Sequence, residues 1–85
     1  MVKLAGSLVN LRNVFAVELR HSDQETPRDY QIIITKNSGQ EKILHYGFDF
    51  KVPQGRNHWN YVNQQNEILR SADYAIIREK MMPSD

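Results

Sequence analysis

From residue 15 to residue 20, large apolar side chains alternate with small or charged ones. Phe15, Val17 and Leu19 share one parity, and Ala16, Glu18 and Arg20 share the other. This is the period of a half-buried strand. Leu8, Val9 and Leu11 carry apolar character back to Ser7, so the segment covers residues 7–20. Arg12-Asn13 reads as a tight turn or bulge between a short first strand and a longer second one. A further segment, residues 28–36, centres on Ile32-Ile33-Ile34. Three β-branched residues in a row favour extended backbone. Asn37-Ser38-Gly39-Gln40 then reads as a hairpin turn, with Gly39 supplying the positive φ that such turns require. The return strand, residues 41–50, places Leu44, Tyr46, Phe48 and Phe50 on one parity, and Ile43, His45, Gly47 and Asp49 on the other.

The period changes after the loop at residues 52–57. Trp59, Val62, Leu69, Ala72 and Ile76 fall near helical spacing, and Asn57 is placed to cap the free N–H groups of the first turn. Glu67 and Arg70 are spaced to pair on the exposed side. Ser71-Ala72-Asp73 is the weak point of this helix. Tyr74-Ala75-Ile76-Ile77 fits either more helix or a last strand. The helix formers Arg78, Glu79, Lys80, Met81 and Met82, followed by Pro83, favour helix. The pattern predicts an α+β fold: an antiparallel three- to four-stranded sheet followed by a C-terminal helix packed on one face, in the order β-β-β-α. One small domain spans residues 1–85, with a frayed tail at residues 83–85.

A single helix cannot cover both faces of such a sheet. With Phe15, Val17, Leu19, Leu44, Tyr46, Phe48 and Phe50 turned to the helix, Val14, Ala16 and Ile43 turn away. The isoleucine triplet sends Ile33 after them. Soluble monomers rarely leave a wide apolar strip bare, so this face is expected to be an interface. A dimer packed sheet on sheet is one form, and edge-strand pairing between chains is the other. Tyr61, near Arg56 at the start of the helix, is a further candidate anchor, because Tyr and Arg are enriched at binding hot spots.

Composition narrows the function. The 85 residues hold 11 Lys and Arg against 10 Asp and Glu, a net charge of +1. That near-balance argues against a strongly basic nucleic-acid binder and against an acidic mimic of DNA. There is no Cys, which excludes disulfides, thiolate catalysis and zinc knuckles. No apolar run approaches the roughly 18 residues of a membrane span. The opening Met1-Val2-Lys3-Leu4-Ala5-Gly6 is too short in its apolar stretch for a signal peptide, so a soluble, cytoplasmic domain is expected. A domain of this size buries only about 60–65% of its unfolded surface, which makes a partner chain useful for stability.

Candidate chemistry is sparse. Tyr46-Gly47-Phe48-Asp49-Phe50-Lys51 loosely echoes the alternation of Gly and aromatic residues in single-stranded nucleic-acid platforms. Tyr46 and Phe48 would stack on bases, and Lys42, Lys51 and Arg56 would meet phosphates. Asp49 among the rings weakens the match, and a same-parity aromatic run in a sheet is more often core. His21, His45 and His58 have no metal-ligand spacing, although Asp23 and Glu25 follow His21 in a loop. Ser22 adjoins His21 without a nucleophile elbow, and the four glycines are dispersed, so no phosphate-cradling loop exists. Gln54-Gly55-Arg56-Asn57 is a helix-entry loop before it is an anion site. No catalytic residue, metal or cofactor is assigned, and an enzyme is disfavoured because so short a chain has little room for a deep pocket within one subunit.

Val9-Asn10-Leu11-Arg12-Asn13-Val14 is similar to strand openings in many small β-rich bacterial and phage proteins. The likeness covers those residues alone, names no family and implies no activity. The sequence therefore leads to a non-enzymatic protein–protein interaction module, self-associating as a dimer, of the kind a phage or mobile element encodes as an inhibitor or regulator. The alternative is a single-stranded nucleic-acid-binding protein.

Overall fold

The computed structural model describes residues 1–81, and the frayed tail expected at residues 83–85 lies outside them. Among the described residues, five strands precede one helix: β1 (Val2–Leu4), β2 (Ser7–Val9), β3 (Val14–His21), β4 (Tyr30–Lys36), β5 (Glu41–Tyr46) and α1 (His58–Met81). β1 and β2 form a small antiparallel hairpin, and β3-β4-β5 form a three-stranded antiparallel sheet with β4 in the centre. The fold is α+β, with the helix packed on the sheet.

The hairpin turns follow from local backbone chemistry. Between β4 and β5, Gly39 takes φ +91°, and Lys36 N–H donates to Gln40 O at 2.8 Å. Between β1 and β2, Ala5 and Gly6 both have positive φ, at 50° and 78°. Tight two-residue hairpins match strand twist only with that geometry. A non-glycine residue pays a steric cost there. Ala5 is held by a long-range bond, its N–H donating to Asp73 Oδ2 at 3.0 Å.

Pairing register fixes the faces. Val17, Ile34 and Lys42 lie abreast, as do Leu19, Ile32 and Leu44, and His21, Tyr30 and Tyr46. These rows face inward. The core gathers Tyr30, Ile32, Ile34, Leu44 and Tyr46 with Leu4 and Val9 of the hairpin and Ile77 of the helix. The alternate rows, including Glu18-Ile33-Ile43 and Arg20-Gln31-His45, face outward.

Three expectations from the sequence change here. First, the register shifts between Val14 and Ala16, which makes Phe15 the extra residue of a β-bulge. Its ring points to solvent, 75% exposed, instead of joining the core. One inserted residue reverses parity upstream, so Val14 packs against the core and not on the outer face. Second, β5 ends at Tyr46, so Phe48 and Phe50 belong to the loop that follows and not to the return strand. Third, the helix runs unbroken through Ser71-Ala72-Asp73 for 24 residues. Tyr74, Ile76 and Ile77 are helical.

The helix carries its cap as expected: Asn57 Oδ1 accepts the Asn60 N–H at 3.1 Å. Its inner stripe is not the one the apolar spacing predicts. Trp59, Leu69 and Ala72 are exposed, and the buried positions are Val62, Asn66 and Ile77. Polar side chains fill the middle of the stripe, each gripping a different segment. Asn63 binds the β3–β4 loop, accepting from Arg28 N–H (3.1 Å) and donating to Glu25 O (2.6 Å). Asn66 binds both main-chain groups of Phe48, each at 2.9 Å. Asp73 accepts from Ala5 N–H and from the Tyr46 hydroxyl, the latter at 2.5 Å. Arg70 donates through Nη1 to Arg20 O at 2.9 Å instead of pairing with Glu67.

Candidate interaction surface

The helix covers β4 and β5, and β3 is left at the margin. No residue of β3 is buried, whereas β4 buries Tyr30, Ile32, Ile33 and Ile34. β3 is also an edge strand. Ser22 N–H donates to Asp29 O at 2.9 Å, and bonded pairs alternate along an antiparallel ladder. With the observed register, this assigns Glu18 and Arg20 to the set bonded to β4. It turns the N–H and C=O groups of Val17, Leu19 and His21 to the free edge. Among the described residues, no hydrogen bond reaches those outward groups.

The side chains of the same three residues point inward, beside the helix. Leu19 is 41% exposed although it sits on the core face. Phe15, Ala16, Val17, Tyr74, Ile77, Arg78 and Met81 line an open trough of about 350 Å³ between β3 and the C-terminal half of α1. A strand laid along β3 would find both a row of unmet backbone groups and an apolar trough for alternate side chains. That is the pair of features by which β-strand addition gains affinity and specificity.

The expected interface residues are spread over the molecule. Ala16 is exposed at the bulge, and Val14 beside it packs inward. Ile33 and Ile43 lie abreast on the outer face, but Ile33, on the central strand between Glu18 and Ile43, is only 3% exposed. The rest of that face is polar, with Glu18 paired to Arg20 at 2.9 Å and His45 to Asp29 at 2.9 Å. The wide apolar outer face is therefore reduced to Ile43 and Ala16. Tyr61 is half-buried at the other end of the helix, with the Arg56 guanidinium 5.4 Å from its ring centre.

The nucleic-acid residues do not form a platform. Tyr46 is 1% exposed, so its ring has no face to offer a base. Burial, then its bond to the Asp73 carboxylate, holds its hydroxyl well above the ordinary tyrosine range. Phe48 packs edge-on against Tyr46 at 6.1 Å. Lys42 sits near the start of β5, whereas Lys51 and Arg56 lie in the loop beyond its end.

Among the described residues, no group of three or more His, Asp or Glu side chains is placed to hold a metal ion. His21 Nδ1 lies 3.1 Å from Ser22 O, and its ring lies 6.1 Å from that of Tyr30. A cleft of about 560 Å³ runs between the β3–β4 loop and the helix and is lined by Glu25, Arg28, Asn63, Gln64 and Glu67 among others. Its Arg28–Glu25 pair, at 2.8 Å, and its two Asn63 bonds tie the loop down and present no nucleophile with an adjacent base. No helix of the described residues is long and apolar enough to cross a membrane.

The features sequence reasoning missed are β1, which pairs with the short strand expected from Ser7, and the bulge at Phe15. Gly6 between the short apolar-bearing runs Val2-Lys3-Leu4 and Ser7-Leu8-Val9 is the signal for the first. The bulge left no signal, because Phe15 keeps the alternation intact. No family model, no curated protein and no solved structure matches the chain.

Proposed function

We propose that this protein is a non-catalytic interaction module that binds other chains by strand addition, and that it self-associates in this way. The observation that carries the reading is the free edge of β3, with the main-chain groups of Val17, Leu19 and His21 unmet beside an apolar trough. Long edge strands with apolar side chains are sites where another strand pairs, and soluble proteins otherwise blunt them. Here only the bulge at Phe15 and the charges of Glu18 and Arg20 do so. A cytoplasmic regulator or inhibitor, of phage or mobile-element origin, would act by adding this edge to a target sheet or accepting a strand from it.

Native mass by light scattering, from micromolar to near-millimolar chain, tests the reading. The wild type is expected above monomer mass at the upper end. Val17→Pro removes one outward N–H without touching the ladder to β4, and is expected to stay monomeric with an unchanged circular dichroism spectrum. Equal self-association of wild type and Val17→Pro would refute edge pairing.

A further inference from the structure

The edge of β3 is complementary to itself. Val17-Glu18-Leu19-Arg20-His21 carries outward main-chain groups at its first, third and fifth residues, and opposite charges at its second and fourth. We propose that the occupant of this edge is a second copy of the chain, paired antiparallel about a twofold axis through Leu19. The inference rests on the strand-addition reading and adds the register of self-association.

In that register Leu19 faces the second copy's Leu19, and Val17 faces its His21. Every outward N–H and C=O of Val17, Leu19 and His21 then finds a partner in a closely spaced pair. The two three-stranded sheets join into one continuous sheet through adjacent β3 strands. On the inner face, the two exposed leucines cover each other, as cross-strand apolar pairs do. On the outer face, Glu18 of each copy lies opposite Arg20 of the other. These side chains already meet within one chain at 2.9 Å and are more than half exposed. They are free to form an alternating square of charge across the axis.

A shift of the axis by one residue in either direction loses this match. Pairing about Glu18 or Arg20 sets that residue opposite its own copy, a like-charge contact. The same main-chain groups still meet at the edge in those registers, so the charge match is what distinguishes them. Electrostatic complementarity of this kind selects register more than it adds affinity.

Charge exchange tests the register. Glu18→Arg places arginines opposite one another in a homodimer, and Arg20→Glu places glutamates opposite one another. Each variant alone is expected to weaken self-association by about tenfold or more. An equimolar mixture of the two is expected to restore it as a heterodimer, detected by native mass spectrometry of one isotopically labelled partner. Both positions are exposed, and circular dichroism checks that each variant folds. As a second measurement, Leu19→Cys in this cysteine-free chain is expected to give a disulfide-linked dimer under mild oxidation, whereas Val17→Cys alone gives none. If Val17→Pro is monomeric but the charge variants associate like wild type, edge pairing stands and this register falls. A wild type that is monomeric at every concentration overturns the second copy as occupant and leaves the edge to a strand from a different protein.

Discussion

β3 and β4 are adjacent strands of nearly equal length, 8 and 7 residues, in one sheet. They differ in what covers them. β4 is bonded on both sides and lies beneath the helix, with Ile32 and Ile34 fully buried. β3 is bonded on one side and keeps no buried residue. Secondary structure is the same in both, so strand formation alone says nothing of burial. The position of α1 decides it, and that position is set by polar grips from Asn63, Asn66, Arg70 and Asp73 to four different segments. The stable half of the molecule and its open half come from one sheet because the helix lies over β4 and β5.

The sharpest test of this contrast is a pair of truncations. Ile34→Ala is expected to destabilise the fold by about 2–5 kcal/mol, because it leaves a cavity in a closed core. Leu19→Ala, on the same face one strand away, is expected to cost less than about 1.5 kcal/mol, since a half-exposed leucine forfeits less transfer energy. Thermal melts at a concentration too low for self-association separate this cost from any linkage to dimerisation. A drop in Tm equal for both variants would break the comparison.

Next in size are the helix grips. Asn66→Ala leaves the Phe48 N–H and C=O without their partner and is expected to cost about 1–3 kcal/mol, read from urea unfolding. Asn66→Leu, which keeps the volume, is expected to recover little. A loss much below that range would mean that water replaces the amide and that the grip is dispensable.

The Tyr46–Asp73 contact gives a pH signature. The folded state holds the Tyr46 hydroxyl above its ordinary pKa of 10.0, so folding favours the protonated form. This contribution is complete below that value and declines as pH rises past it, by up to about 1.4 kcal/mol per pH unit. Tyr46→Phe removes the titrating group, and its stability curve is expected to be flatter on the alkaline side. Parallel curves for wild type and Tyr46→Phe would assign the alkaline loss to other groups. The smallest expected effect is at the cap: Asn57→Ala costs about 1 kcal/mol at the helix start and leaves self-association through β3 unchanged. A shift in the dimer equilibrium there would tie the two ends of the helix together more closely than the structure implies.

Much of this architecture is legible in the chain. The alternation around Val17 and Leu19, the isoleucine triplet and the Gly39 turn place β3, β4 and β5, and Asn57 marks the start of the helix. Those signals are local: period, turn chemistry and capping depend on residues close in sequence. The site is less legible. The outer-face rows are read correctly at Ala16, Ile33 and Ile43, yet Ile33 is shielded by its central position. Phe15 is assigned to the core and emerges at a bulge. Trp59 and Leu69 mark an apolar stripe that the helix does not bury.

The chain alone sets the order and kind of β3, β4, β5 and α1, and it holds no cysteine for thiol chemistry. Which strand is left open and which helix face lies inside is settled only in the folded molecule. Apolar periodicity locates a buried face only when apolar contact is what docks the helix. Here Asn63, Asn66, Arg70 and Asp73 dock it through hydrogen bonds to partners between 27 and 68 residues away, apart from the 18-residue reach of Asn66. Such partners exist only once the chain has folded, and no period in the sequence announces them.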